Sequence, residues 1–267
     1  MNTLGDTDTL RLYWWKAKPN FGDALSPLVV SHMTGRQVVH AQPAKADMVA
    51  LGSLLQVIKR NVSEGREAAH RLTVWGAGLL HAVQSPGFVK YLDIAILRGP
   101  LTAKLLELRD TAFGDPALLI NDVILFDGVS EDRIGIVPHY SMIDDPGLHA
   151  FVASDPAYVL IDPRNDATEV CKQIASCAQI YASSLHGLIV ADAYGIPNVW
   201  ITPGKLGRLK YHDYAASVGR KDMDTPVDLP DASPAGPITY TSGINDCRAA
   251  LRARFPAHLK HTAVPAH

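Results

Sequence analysis

Several short stretches join residue types that do chemistry to the glycines and prolines that end strands and open helices. Ser183-Ser184-Leu185-His186-Gly187 sets two hydroxyls and an imidazole where an apolar run begins after a β-rich one. Free amides at a helix N-terminus attract anions, and histidine titrates near neutrality, so His186 can give or take a proton beside an anion bound there. Ser184 also suits an ordinary N-cap, and His186 a satisfied buried imidazole. Asn20-Phe21-Gly22-Asp23 follows the first β-rich run and places Asp23 at a helix start, as a cap or as a carboxylate facing a cleft. Arg98, between Leu97 and Gly99-Pro100, ends an apolar strand, where it suits bidentate oxyanion recognition or a buried salt bridge. Gly114-Asp115-Pro116 repeats that setting with a carboxylate, a simple turn being the alternative. Pro138-His139-Tyr140 brings a second imidazole to another strand end.

Smaller signals surround these. Gly52-Ser53 and Gly76-Ala77-Gly78 are strand-to-loop junctions whose small residues let backbone amides approach an anion, and tight turns would explain them as well. Arg208, Lys210, Tyr211, His212 and Asp213 form a charged cluster whose default place is a solvated loop. There is no GxGxxG fingerprint and no GKS/T phosphate loop, so neither a dinucleotide cofactor nor a nucleoside triphosphate is indicated. No Cys/His/Asp group has metal-ligand spacing, and no metal is expected.

The elements that must position these residues follow from alternation. β-rich runs at 11–15, 37–40, 47–52, 72–76, 92–97, 133–138, 157–161, 179–182 and 198–201 alternate with helical patterns at 22–33, 53–60, 100–109, 168–176, 185–194 and 245–254. That rhythm predicts an α/β fold of parallel sheets with helices on both faces, built as two Rossmann-like, doubly wound domains facing a cleft. In such sheets ligands gather at the carboxyl ends of the strands. A polar connector between 121 and 133 sets the boundary: residues 1–128 form the first domain, 129–267 the second, and the last helix packs back on the first.

Composition bounds the partners. Of 267 residues, 47% are hydrophobic and 19% charged, enough apolar material for a substantial core. With 25 Lys+Arg against 27 Asp+Glu, the formal charge of −2 gives no bulk attraction to nucleic acid or an anionic membrane, so any anion must be held locally. Three cysteines without CxxC spacing suggest a reducing compartment, and the polar residues 1–10 suggest no export signal, so a cytoplasmic location is expected.

In order along the chain, Tyr13-Trp14-Trp15, Asn20 to Asp23, Gly52-Ser53-Leu54, Val74 to Gly78, Arg98-Gly99-Pro100, Gly114 to Leu119, Val137-Pro138-His139, Ser183 to Leu188, Ala193 to Pro197 and Lys210-Tyr211 resemble the polysaccharide pyruvyl transferase family, most closely its bacterial exopolysaccharide, xanthan-type ketal pyruvyltransferases. The resemblance implies a GT-B-like fold, phosphoenolpyruvate as donor rather than a bound cofactor, and a sugar or lipid-linked oligosaccharide as acceptor. Contact with the inner face of the membrane would follow from a lipid-linked acceptor. It implies His186, Asp23 and His139 as the acid and base residues. In better-studied relatives an arginine precedes the Leu-His pair, where this chain has Ser184. Arg98, with Arg208 or Lys210 and the amides of Ser183, Ser184, Leu185 and Gly187, is therefore expected to hold the donor. Asn20, Gly52, Ser53, Gly76, Gly78, Asp115 and Tyr211 are expected around it. A nucleotide-sugar glycosyltransferase of the same architecture and a catalytically inactive carbohydrate-binding or scaffold homologue are the competing functions.

Overall fold

β-Branched and aromatic residues concentrate in nine short strands, and every strand pairing is parallel among the residues described by the computed structural model, 8–62, 71–128 and 131–261. Thr9–Tyr13 (β1), Gln37–His40 (β2), Met48–Val49 (β3), Leu72–Trp75 (β4) and Leu92–Ile96 (β5) form a five-stranded sheet of order β2-β1-β3-β4-β5. Glu131–Val137 (β6), Tyr158–Leu160 (β7), Cys177–Ala182 (β8) and Asn198–Trp200 (β9) form a four-stranded sheet of order β7-β6-β8-β9. In each sheet the winding reverses once, between β1 and β3 and between β6 and β8. Loops diverge at such a reversal and leave a crevice at the strands' carboxyl ends.

The helices are Phe21–Thr34 (α1), Leu55–Val62 (α2), Pro100–Leu105 (α3), Ile120–Val123 (α4), Pro146–Ala153 (α5), Ala167–Ala175 (α6), Leu185–Tyr194 (α7), Leu209–Val218 (α8) and Thr241–Ala253 (α9). None is long and apolar enough to cross a membrane. Phe21, Leu25 and Val29 repeat every fourth residue and bury one face of α1, and Gly35 ends the helix at φ 69°. α7 is buried from Leu185 to Ala193 and is apolar apart from His186 and Asp192. One apolar cluster runs from Leu10, Leu12 and Trp75 through Phe21, Leu118 and Ile189 to Val137 and Ile180, so α1 and α7 pack into a core common to both sheets. α9 lies beside the first sheet, where the Trp75 indole donates to the Leu251 carbonyl at 3.1 Å and Phe255 meets the same ring edge-on. Arg252 of α9 reaches Asp122 of α4 at 2.5 Å.

Three helices, α4, α5 and α8, fall where no helical pattern is evident in the sequence. The most consequential is α8, which replaces the solvated loop expected around 208–213. Tyr211, Tyr214, Ala215 and Val218 are buried at i, i+3, i+4 and i+7, and burial of that face outweighs the charges between them. The expected 100–109 helix stops at Leu105, and Glu107 and Asp110 take positive φ.

Candidate functional site

A cavity of about 320 Å³ opens over both reversal points. The loops after β1 and β3 bring Trp15, Asp23, Gly52 and Ser53 to it, and those after β6 and β8 bring His139, Tyr140, Ser184 and Leu185. His186 of α7 and Lys210 of α8 complete its inner wall.

Asp23 stands in the first turn of α1, and Asn20 donates from Nδ2 to its Oδ2 at 2.8 Å. Burial pushes its pKa up to about 6, against the opposing pull of the Asn20 hydrogen bond and the Lys210 charge. Gly52, at φ +100°, carries the next loop past it, where a Cβ would lie 3.6 Å from Oδ1. Lys210 is itself desolvated and sits near Arg98; both effects lower its pKa, Asp23 raises it, and the outcome is about 8.

Ser184 caps α7 by accepting the Gly187 N–H at 3.4 Å. This seats His186 one residue inside the helix, against Gly22 of α1. Burial, then the charges of Lys210 and Arg98, push the His186 pKa down to about 3. Its Nε2 is buried without a hydrogen-bond partner, 4.0 Å from Oδ2 of Asp115, which is buried and unpartnered too. The other Asp115 oxygen accepts the Ala117 N–H at 3.0 Å, and burial pushes this carboxyl up to about 6.

His139 is fixed from both ends. Its backbone N–H donates to Ser183 Oγ at 2.9 Å, and its ring Nδ1 accepts the Ser141 N–H at 3.3 Å. An amide N–H can only donate, so the neutral ring carries its proton on Nε2. Burial and Lys210 push its pKa down to about 4. At neutral pH Asp23, Lys210, His139 and His186 therefore bring together one carboxylate, one ammonium and two uncharged imidazoles, a set able to hold an anion and move protons beside it.

Arg98 does not line this cavity, contrary to the sequence expectation. Its side chain is fully buried: Nε donates to Asp213 Oδ2 at 2.9 Å, one terminal nitrogen to Ser53 Oγ at 2.8 Å and the other to the Leu79 carbonyl at 2.7 Å. Asp213, three residues beyond Lys210 on α8, also accepts from the Thr102 amide at 2.8 Å and its hydroxyl at 2.7 Å. A partner 115 residues away in sequence thus neutralises the arginine, which reaches the cavity through Ser53. Gly78 is required beneath it, since a Cβ there would come within 2.4 Å of the guanidinium carbon.

Arg208, at the N-cap of α8, is exposed and lies outside the lining residues, a second departure from the sequence expectation. Four more of the expected residues stand behind the wall. Tyr211 donates to the Ser183 carbonyl at 2.6 Å, Gly187 packs on Val137 and Ala182, Gly76 at φ +92° meets Pro116, and Asp115 backs His186. The outer wall carries Gln56 and Arg60 of α2 with Leu80 and His81, none anticipated from sequence. Gln56 faces the loop as a pair of hydrogen bonds, donating to the His81 carbonyl at 2.5 Å and accepting the Leu80 N–H at 3.0 Å. Trp15, quoted in the sequence only within a motif, is 38% exposed at the mouth.

Residues 74–204 match the family model described as polysaccharide pyruvyl transferase. The chain is 29% identical over 214 residues, 78% of its length and 64% of the relative's, to the succinoglycan biosynthesis protein ExoV of Rhizobium meliloti (strain 1021). It is 30% identical over 163 residues, 55% of its length and 54% of the relative's, to an uncharacterized protein of Acanthamoeba polyphaga mimivirus. The chain spans less than two thirds of the length of either curated relative.

Proposed function

From the premise that this chain belongs to the polysaccharide pyruvyl transferase family, we propose that it moves the pyruvyl group of phosphoenolpyruvate onto two hydroxyls of one sugar residue in an exopolysaccharide precursor, giving a pyruvate ketal and inorganic phosphate. The observation that carries this reading is the convergence of Asp23, His139, His186 and Lys210 on one cavity over both strand reversals.

C3 of phosphoenolpyruvate must gain a proton for C2 to become electrophilic, and His186, brought to its imidazolium form by the negative charge of the bound donor, supplies it. A sugar hydroxyl attacks C2 while Asp23 takes its proton, forming a phosphorylated tetrahedral centre. The C2–O bond to phosphate then breaks, the second hydroxyl attacks C2, and its proton leaves with the phosphate. His139 competes with either residue for its role. Lys210, together with the Ser184-capped N-terminus of α7, meets the donor's anionic groups, and Arg98 holds Ser53 from beneath. The two sheets serve as GT-B-like halves, the second toward the donor and the first toward the acceptor, whose apolar sugar face rests on Trp15. Three cysteines without CxxC spacing suit a reducing, cytoplasmic setting.

The test is phosphate release from phosphoenolpyruvate with a panel of sugar acceptors. His186→Ala lowers it at least a hundredfold, the scale of losing a general acid. Phosphoenolpyruvate, and not nucleotide sugars, raises the melting temperature. Near-native turnover by the variant would remove His186 from the chemistry, and a melting shift with nucleotide sugars alone would remove the donor assignment.

A further inference from the structure

Two orphaned polar atoms face each other behind the cavity. His186 Nε2 and Asp115 Oδ2 are both buried without partners, and only 4.0 Å separates them. A buried polar atom left unpaired keeps its desolvation cost uncompensated, so two of them this close have strong reason to meet. Both groups are held in place. His186 is seated on Gly22, whose added Cβ would fall 2.1 Å from Nδ1, and Asp115 is anchored by the Ala117 amide and by Pro116 against Gly76. The Asp115 oxygen that faces the ring is the one no other group uses.

We propose that Asp115 is a positioning residue for His186: its carboxylate accepts a hydrogen bond from Nε2–H, fixing the ring's proton there and leaving Nδ1 as the nitrogen that exchanges protons at the cavity. The charges around the ring make this pairing necessary. Lys210 and Arg98 both oppose a positive imidazole, Asp213 is occupied by Arg98, and Asp23 is engaged with Asn20 and Lys210. Asp115 is thus the carboxylate placed to support an imidazolium when an anionic ligand enters. One proton taken up by the pair then resides on Nδ1, and the pair titrates as a unit. A buried carboxylate that orients an imidazole and selects its tautomer does the same work in unrelated hydrolases. The catalytic consequence rests on reading His186 as the acid; the pairing itself does not.

The decisive measurement needs no substrate. In protein labelled with 15N-histidine, with His186→Gln to assign the signal, long-range 1H–15N spectra at pH 8 should show His186 almost wholly protonated on Nε2. In Asp115→Asn the amide oxygen keeps the Ala117 N–H, its NH2 group faces Nε2, and the proton moves to Nδ1. Phosphate release by that variant should fall on the order of 10³-fold or more, the scale of a wrong tautomer, with phosphoenolpyruvate binding within about threefold of wild type. A wild-type His186 protonated on Nδ1, or evenly mixed, overturns the proposal even if Asp115→Asn does not fold. The expected tautomers without any phosphate release by the wild type would uphold the pairing and sink the proposed reaction instead.

Discussion

Gly22 of α1 and His186 of α7 touch so closely that a Cβ at residue 22 would stand 2.1 Å from the imidazole Nδ1 and 2.6 Å from Cγ. The helix carrying Asp23 is therefore also the seat of the second sheet's histidine, and the glycine before Asp23 is a spacing device. Gly22→Ala must push the ring off its seat. We expect phosphate release to fall about 10²–10³-fold, with a stability loss of about 1–3 kcal/mol from overpacking. Unchanged kinetics in a folded variant would show that the ring position is not critical.

The pH dependence follows from two displaced groups. Asp23, at about 6, must be ionised to accept a proton, and Lys210, at about 8, must be protonated to hold an anion. kcat/KM should rise through pH 6 and fall through pH 8. Lys210→Arg keeps the charge and should carry the alkaline limb beyond about pH 9, since guanidinium does not titrate in this range. An alkaline limb that stays in place assigns it to another group.

Asp23 also works against the stability of the fold. Its folded pKa lies above its ordinary value of 3.8, so the native state binds the proton more tightly than the unfolded chain. The resulting stabilisation is complete below about pH 4 and is lost as pH rises through about 6. At pH 8 the ionised group therefore costs up to roughly 3 kcal/mol. Asp23→Asn should abolish turnover while raising the melting temperature by several degrees at pH 8, with the gain vanishing near pH 4. A lower melting temperature at pH 8 would contradict the burial argument.

Arg98→Met leaves the buried Asp213 carboxylate without its counter-charge and should destabilise the protein by about 3–5 kcal/mol. Adding Asp213→Leu should recover part of that loss, because an apolar pair needs no compensation. Thermal unfolding of the single and double variants separates this role from donor binding. Equal stability of Arg98→Met and wild type would return Arg98 to the cavity wall.

Trp15 should matter to the acceptor alone. Trp15→Ala is expected to raise the acceptor KM about tenfold, the loss of about 1.4 kcal/mol of stacking, and leave phosphoenolpyruvate binding unchanged. A raised donor Kd would place the indole on the donor side.

All nine strands lie within the β-rich runs of the sequence or one or two residues beyond them, because strand and turn chemistry are local. Asp23, His139 and His186 were legible as cavity residues for the same reason, each following a strand end or a helix start, whereas Lys210 was singled out only through the family resemblance. α8 was obscured because its apolar positions are separated by Lys210, His212 and Asp213, and only burial against the rest of the chain decides between helix and loop. The pairing of Arg98 with Asp213, and of Asp115 with His186, depends on which distant segments meet, and no local pattern carries that.

Lys210 and Asp213 sit less than one turn apart on α8, one meeting the cavity and the other riveting the helix to Arg98. The cavity's ammonium cannot drift without straining a buried ion pair in which Thr102 also takes part. An incoming anion therefore meets a charge whose orientation was settled during folding, and little of its binding free energy is diverted to arranging the host.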